Sequence, residues 1–353
     1  MNKIYVYKNR LYQIEFKKFQ FDTPPFYWRK ERGIIMYFLG VDGGGTKTKY
    51  LLIDKELKVI EEIESGTTHI HQIGKEKLIQ VLNENLQLIC EKSSINKSEI
   101  EYAFLGIPGY GESKSDIEDI DDSVNEVFNG INYSIGNDSV VGWAAGTGCR
   151  EGVNIVAGTG SIAYGRNKEG NEARCGGWGP GIGDDASAYW IGLKVLNEYT
   201  KQKDGRREKT VLVDILEEKY DIKEYFEIVD IVFNRLKFSR THIAKFSEIA
   251  YLAAAAGCDV CINIFKEAAK ELFFHIKVLK KELNLADGFL VSYSGGVFKS
   301  GDFILNPLKE MLKNNNIDCE LIEPKLKPWH GAALLAYLLS DNELPENYIE
   351  LIK

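Results

Sequence analysis

The chain has 353 residues, 44% hydrophobic and 27% charged, which is enough for two packed domains and unlike a disordered or membrane-embedded composition. Its net charge of −8 excludes a surface built for a nucleic-acid backbone, which needs excess Lys and Arg. Six cysteines without a disulfide-framework spacing point to a reducing, cytoplasmic compartment, and no apolar run approaches the roughly 20 residues of a membrane span, so neither nucleic acid nor membrane is an expected partner.

Residues 1–35, basic and rich in aromatics, read as an N-terminal extension, with Met36 as an alternative start ahead of the first patterned segment. Residues 37–42 (Tyr-Phe-Leu-Gly-Val-Asp) then read as a strand, Gly43-Gly44-Gly45-Thr46 as a tight turn and 47–54 as the returning strand. Residues 75–92 put Leu78, Ile79, Leu82, Leu86 and Ile89 on one helical face, and 103–107 form a short buried strand. The acidic run 116–122 reads as solvated and carries no function. A second hairpin repeats the first: a strand over 153–157, a turn at Gly158-Thr159-Gly160-Ser161 and a return over 162–164. Residues 186–283 are mainly helical in pattern, and a strand over 288–292 ends in Ser294-Gly295-Gly296. The order is that of two α/β lobes, an N-terminal one over 36–137 and a larger C-terminal one over 138–353, with a closing helix near 331–340 that can return to the first lobe.

The chemistry concentrates in the turns. Three successive glycines after a strand let backbone N–H groups approach an anion without Cβ obstruction, so Gly43, Gly44, Gly45, Thr46 and Lys47 are phosphate-cradle candidates, although glycine also suits ordinary turns. Asp42, at the mouth of this turn, repels phosphate and suits Mg²⁺ bridging phosphate oxygens. Gly158, Thr159, Gly160 and Ser161 offer the same cradle again, and Gly295-Gly296 leaves room for the adenosine. No Gly-x-x-x-x-Gly-Lys-Ser/Thr and no Gly-x-Gly-x-x-Gly opening a helix occurs, which excludes P-loop and dinucleotide folds.

On the acceptor side, Asn137-Asp138 follows a short strand at 133–135; a kinase acting on a hydroxyl needs a carboxylate to orient it and take its proton, and Asp138 is the candidate base. The glycine-rich stretch 176–185 around Trp178 reads as a ligand loop in which the indole lies on a sugar ring and Asp184 accepts sugar hydroxyls, while helix capping is the plainer role for Asp184 or Asp185. His69 and His71 would suit an amide-bearing substrate, though each also reads as an ordinary surface or core histidine.

Taken jointly, Asp-Gly-Gly-Gly-Thr-Lys-Thr (42–48), Asn137-Asp138, Gly-Thr-Gly-Ser (158–161), Gly-Gly-Trp-Gly (176–179), Gly-Asp-Asp-Ala-Ser-Ala-Tyr-Trp-Ile-Gly (183–192) and Gly-Gly-Val-Phe-Lys-Ser (295–300) resemble the BadF/BadG/BcrA/BcrD-type ATPase family and, within it, the N-acetylglucosamine kinases, over residues 36–339. The resemblance implies a two-lobed actin-like, ribonuclease H-like α/β fold with nucleotide and sugar in the interdomain cleft. It implies ATP with Mg²⁺, transfer to the 6-hydroxyl of an N-acetylhexosamine, Asp138 as base, sugar contacts from Asn137, Thr159, Gly177, Trp178 and Asp184, and a homodimer. His69 and His71 stand where that family commonly has Asn, which keeps N-acetylmuramic acid and glucosamine beside N-acetylglucosamine as acceptors. An ATP-driven activator of an acyl-CoA dehydratase or reductase has a similar core but needs cluster-binding thiolates; the Cys258-Asp259-Val260-Cys261 spacing reads instead as two cysteines on the buried face of a helix. A non-catalytic sugar sensor would be free to lose Asp42 or Asp138, and both are present.

Overall fold

A computed structural model describes residues 3–7, 10–14 and 36–353; the remainder of the 1–35 extension lies outside the described residues. Strands β1 (Lys3–Tyr7) and β2 (Arg10–Ile14) pair antiparallel. The chain divides into two compact units, one comprising the residues up to Arg150 together with Pro324–Lys353, the other Glu151–Glu323. The helix that begins at Asp138 therefore belongs to the first unit, as does the closing helix Pro328–Leu339.

The first unit is built on a five-stranded sheet of β3 (Tyr37–Gly43), β4 (Lys47–Asp54), β5 (Val59–Gly66), β6 (Ile100–Gly106) and β7 (Asn132–Gly136), in the order β5-β4-β3-β6-β7. The hairpin partners run antiparallel and β3, β6 and β7 run parallel. Alternation along β3 explains its two faces. Leu39 and Val41 join a core with Leu78, Leu82 and Leu86 of the helix Lys75–Ser93 and with Ile120, Val124 and Phe128 of the helix Lys114–Phe128. Phe38 and Gly40 face the other way: Phe38 meets Tyr337 edge-on at 5.0 Å between ring centroids, and a Cβ on Gly40 would overlap the backbone of Ala333. Asp42 shares this second face by parity.

The second unit repeats the plan with β8 (Gly152–Ala157), β9 (Ser161–Arg166), β10 (Glu172–Gly176), β11 (Phe289–Ser294) and β12 (Cys319–Ile322), in the order β10-β9-β8-β11-β12 and with the same sequence of antiparallel and parallel pairings. The helix Asp259–Glu282 buries Phe265, Ala268, Ala269, Leu272 and Ile276 in that unit's core. Each unit thus turns a glycine tip at the end of a central strand.

Two local readings need correction. The 116–122 run lies within the helix Lys114–Phe128 with Glu118, Asp121 and Asp122 exposed as expected, but Asp116 is buried where it meets His71. Cys258 and Cys261 are not within one continuous helix with the alanines before them. The helix Phe246–Ala255 ends, Gly257 turns with φ +84°, and Cys258 caps the next helix.

Candidate functional site

In the first unit, small residues let two helices lie close over the ends of β3 and β6. A Cβ on Gly106, the register partner of Asp42, would overlap Val141, and one on Gly331 would overlap the Val141 carbonyl and the Ala145 nitrogen. The helix Asp138–Thr147 is thereby held against the helix Pro328–Leu339 and the sheet, with Asp138 exposed in its first turn, where the helix dipole favours an anion. Burial, then the charge of Asp138, lifts the Asp42 carboxyl from its ordinary value of 3.8 to about 7, with Lys47 opposing. The two carboxylates therefore share one electrostatic site beside the 43–46 turn.

That turn is fixed from behind. Thr67 Oγ1 donates to the Gly44 carbonyl at 2.8 Å, Thr48 and Thr68 hydroxyls meet at 3.1 Å, and a Cβ on Gly43 would overlap Thr68 and the Gly106 carbonyl. Among the described residues, the N–H groups of Gly44, Gly45 and Thr46 make no intramolecular hydrogen bond. Thr46 is exposed, and Lys47 pairs with Glu64 at 2.9 Å.

Asn137 is committed locally: its Oδ1 accepts from the Ser139 N–H at 3.1 Å, capping the helix, and its Nδ2 donates to the Tyr110 carbonyl at 3.2 Å. His69 and His71 stand 5.7 Å apart between ring centroids. His71 Nε2 lies 3.0 Å from Asp116, whereas His69 Nδ1 is buried without a partner. An unsatisfied buried ring nitrogen is costly and marks His69 as the histidine with hydrogen-bonding capacity to spare.

In the second unit, Gly158 N–H closes the 158–161 turn on the Gly160 carbonyl at 2.9 Å, and the N–H groups of Thr159 and Gly160 have no intramolecular partner among the described residues. Asp184, in the left-handed region at φ +60°, is buried behind the turn; its Oδ1 accepts from the Ser161 N–H at 3.4 Å and its Oδ2 from Arg240 at 2.5 Å. The next helix is capped by Ser187, whose hydroxyl accepts from the Trp190 N–H, so neither Asp184 nor Asp185 caps it. Gly295, at φ +107°, lies flat on Ala157 and Gly158, where a Cβ would overlap the Ala157 carbonyl; a Cβ on Gly296 would meet open space. The third glycine element thus abuts the second turn.

The 176–185 loop leaves the end of β10. Gly176, Gly177, Gly179 and Gly181 all have positive φ, Gly177 N–H donates to the Ser161 carbonyl at 2.9 Å, and Arg174 donates to the Gly177 carbonyl at 3.2 Å. Trp178 is 64% exposed, an indole offered to solvent on a constrained loop. Beneath the loop His275 is buried with its Nδ1 unpartnered, its ring against Gly176; burial lowers its pKa and keeps it neutral.

Arg240 and His275 carry no local sequence signal. Arg240 pairs with a residue far along the chain and His275 packs against a distant glycine, and only a Ser followed by Arg at a short helix start hints at the first. The Cys258 thiol donates to Thr210 at 3.3 Å, and burial beside Cys258 raises the Cys261 thiol well above its ordinary pKa, the opposite of a ligand-ready thiolate. No helix among the described residues is long and apolar enough to cross a membrane.

A sequence profile of the BadF/BadG/BcrA/BcrD ATPase family matches residues 39–336. The chain is 32% identical over 303 residues to an N-acetylmuramic acid/N-acetylglucosamine kinase of Clostridium acetobutylicum, covering 85% of this chain and 98% of that one. It is 31% identical over 309 residues to an N-acetyl-D-glucosamine kinase of Dictyostelium discoideum, covering 85% and 97%. In structure it is similar to a Chromobacterium violaceum protein described as a candidate N-acetylglucosamine kinase, at TM-score 0.65 and 21% identity over 86% of this chain and 99% of that one. The fold is that of the actin-like ATPases.

Proposed function

The chain belongs to the BadF/BadG/BcrA/BcrD ATPase family, and we propose that within it the chain is an ATP-dependent kinase that transfers the γ-phosphoryl group to the 6-hydroxyl of an N-acetylhexosamine, N-acetylglucosamine first. The observation that carries this reading is the pair Asp42 and Asp138 beside a turn whose N–H groups are free. Full-length similarity to two amino-sugar kinases supports the substrate class.

Asp138 accepts the proton of the 6-hydroxyl as O6 bonds to the γ-phosphorus and the bond from that phosphorus to the bridging oxygen breaks, leaving ADP and the sugar 6-phosphate. The free N–H groups of Gly44, Gly45, Thr46, Thr159 and Gly160 hold phosphate oxygens. Gly295 brings its turn flat against Ala157 and Gly158, Gly296 leaves open space for the adenosine, and Trp178 lies on the apolar face of the sugar. Asn137 fixes the direction of the Asp138 helix, Asp184 holds the loop that presents Trp178 and Gly177, and the spare capacity of His69 suits the acetamido group. The residues fit Mg²⁺: an Asp42 carboxyl raised by burial and then by a second carboxylate would gain from a divalent cation, which when bound would supply charge neutralisation to the phosphates.

Six free cysteines support a cytoplasmic location, and homodimer formation belongs to the same proposal, checked by light scattering. The activity is tested with ATP, Mg²⁺ and a panel of N-acetylglucosamine, N-acetylmuramic acid, glucosamine and glucose, read as ADP release. Release dependent on an N-acetylated sugar supports the reading; release equal with and without every sugar overturns it.

A further inference from the structure

Asp184 places a nearly inaccessible carboxylate, 2% exposed at its side chain, directly behind the 158–161 turn. One of its oxygens accepts from the Ser161 N–H at 3.4 Å, so the charge sits within two residues of the Thr159 and Gly160 N–H groups that would hold phosphate. An uncompensated carboxylate there would repel a phosphate and itself be costly to bury. The other oxygen accepts from Arg240 at 2.5 Å. Arg240 opens the helix Arg240–Ala244, whose Ser239 cap fixes where that helix starts, and its guanidinium fills the space a side chain at position 160 would take: a Cβ on Gly160 would overlap it. Gly160 is therefore required by the arginine, and the arginine is required by Asp184.

We propose that Arg240 is a positioning residue that acts through Asp184, cancelling its charge so that the 158–161 turn accepts a nucleotide phosphate. The inference rests on the reading of that turn as a phosphate cradle. At 43% exposure Arg240 remains in high-dielectric surroundings, so its effect comes from neutralising the buried partner and not from a deep ion pair of its own.

The test is titration calorimetry of a non-hydrolysable ATP analogue with Mg²⁺ against wild type, Arg240→Lys, Arg240→Gln and the double variant Arg240→Gln with Asp184→Asn, each also followed by thermal melting and by amino-sugar phosphorylation. The expected result is a roughly tenfold weaker dissociation constant for Arg240→Gln, within about threefold of wild type for Arg240→Lys, and recovery to within about threefold in the double variant, where no carboxylate is left uncompensated. Melting temperature should fall in Arg240→Gln and return in the double variant. A purely packing role predicts that Arg240→Lys loses as much as Arg240→Gln and that the double variant is no better; either result, or unchanged binding in a folded Arg240→Gln, overturns the proposal. Should Arg240→Gln fail to fold, the double variant and Arg240→Lys decide by the same criteria. Wild type that binds the analogue but phosphorylates no amino sugar sinks the kinase reading alone, while wild type that binds no analogue sinks both.

Discussion

Asp42 is the next-to-last residue of the central strand of the first sheet, and Asp138 opens the helix that leaves the same sheet two strands away; burial and the second carboxylate together lift the first to about 7. A carboxyl raised by burial and by a second carboxylate is a poor stability device and a good catalytic one.

Asp138→Asn is expected to bind sugar and the ATP analogue with affinities within about threefold of wild type and to lose roughly 10²–10⁴-fold in kcat, since the amide still accepts and donates a hydrogen bond but takes no proton. Steady-state kinetics with calorimetry of sugar binding checks this. Turnover near the wild-type rate would remove Asp138 from the role of base.

Asp42 gives a stability prediction in metal-free buffer. Its folded-state pKa, about 7, lies above the ordinary 3.8, so the folded protein holds an extra proton between these values and stability falls as the pH rises through that window. Asp42→Asn removes the carboxylate. Its melting temperature should exceed that of wild type by little at pH 4 and by a widening margin towards pH 8, corresponding to about 1–3 kcal/mol after relaxation of the site. A margin independent of pH, measured by calorimetric melting, would contradict this placement of Asp42.

Gly331→Ala probes how the Asp138 helix is held. The added methyl meets the Val141 carbonyl and the Ala145 nitrogen, both backbone, so the two helices must separate. Overpacking of this kind costs roughly 1–3 kcal/mol, and kcat should fall together with stability because the helix carrying Asp138 moves. Gly109→Ala, at a positive-φ turn with open space around it, is the control for backbone strain alone.

Both hairpins with their glycine tips were legible because strand alternation and turn glycines are local signals; the bounds of β4 coincide with the expected 47–54. The actin-like fold followed from the joint motifs. What a local pattern does not carry is pairing across sequence distance: Asp116 reads as one acid in a solvated run until His71, 45 residues earlier, is folded against it, and Arg240 is unremarkable until Asp184, 56 residues earlier, lies buried beside it. The Cys258 to Cys261 segment misled in detail because four alanines extend a helical pattern that Gly257 in fact ends.

Trp178→Ala should raise the KM for N-acetylglucosamine roughly tenfold or more while leaving the KM for ATP within about twofold, since the indole is exposed on a loop anchored by Gly177 and Arg174 and supports no core. Equal loss for both substrates would mean that the loop, and not the indole, was disturbed.

The central claim is transfer of a phosphoryl group to the sugar 6-hydroxyl, and the most direct measurement is the proton-coupled phosphorus NMR spectrum of the product formed from ATP, Mg²⁺ and N-acetylglucosamine. The account predicts stoichiometric ADP and one new phosphate-monoester signal split as a triplet by the two protons on C6. A doublet from the single proton on C1, or inorganic phosphate as the only new species, would contradict it.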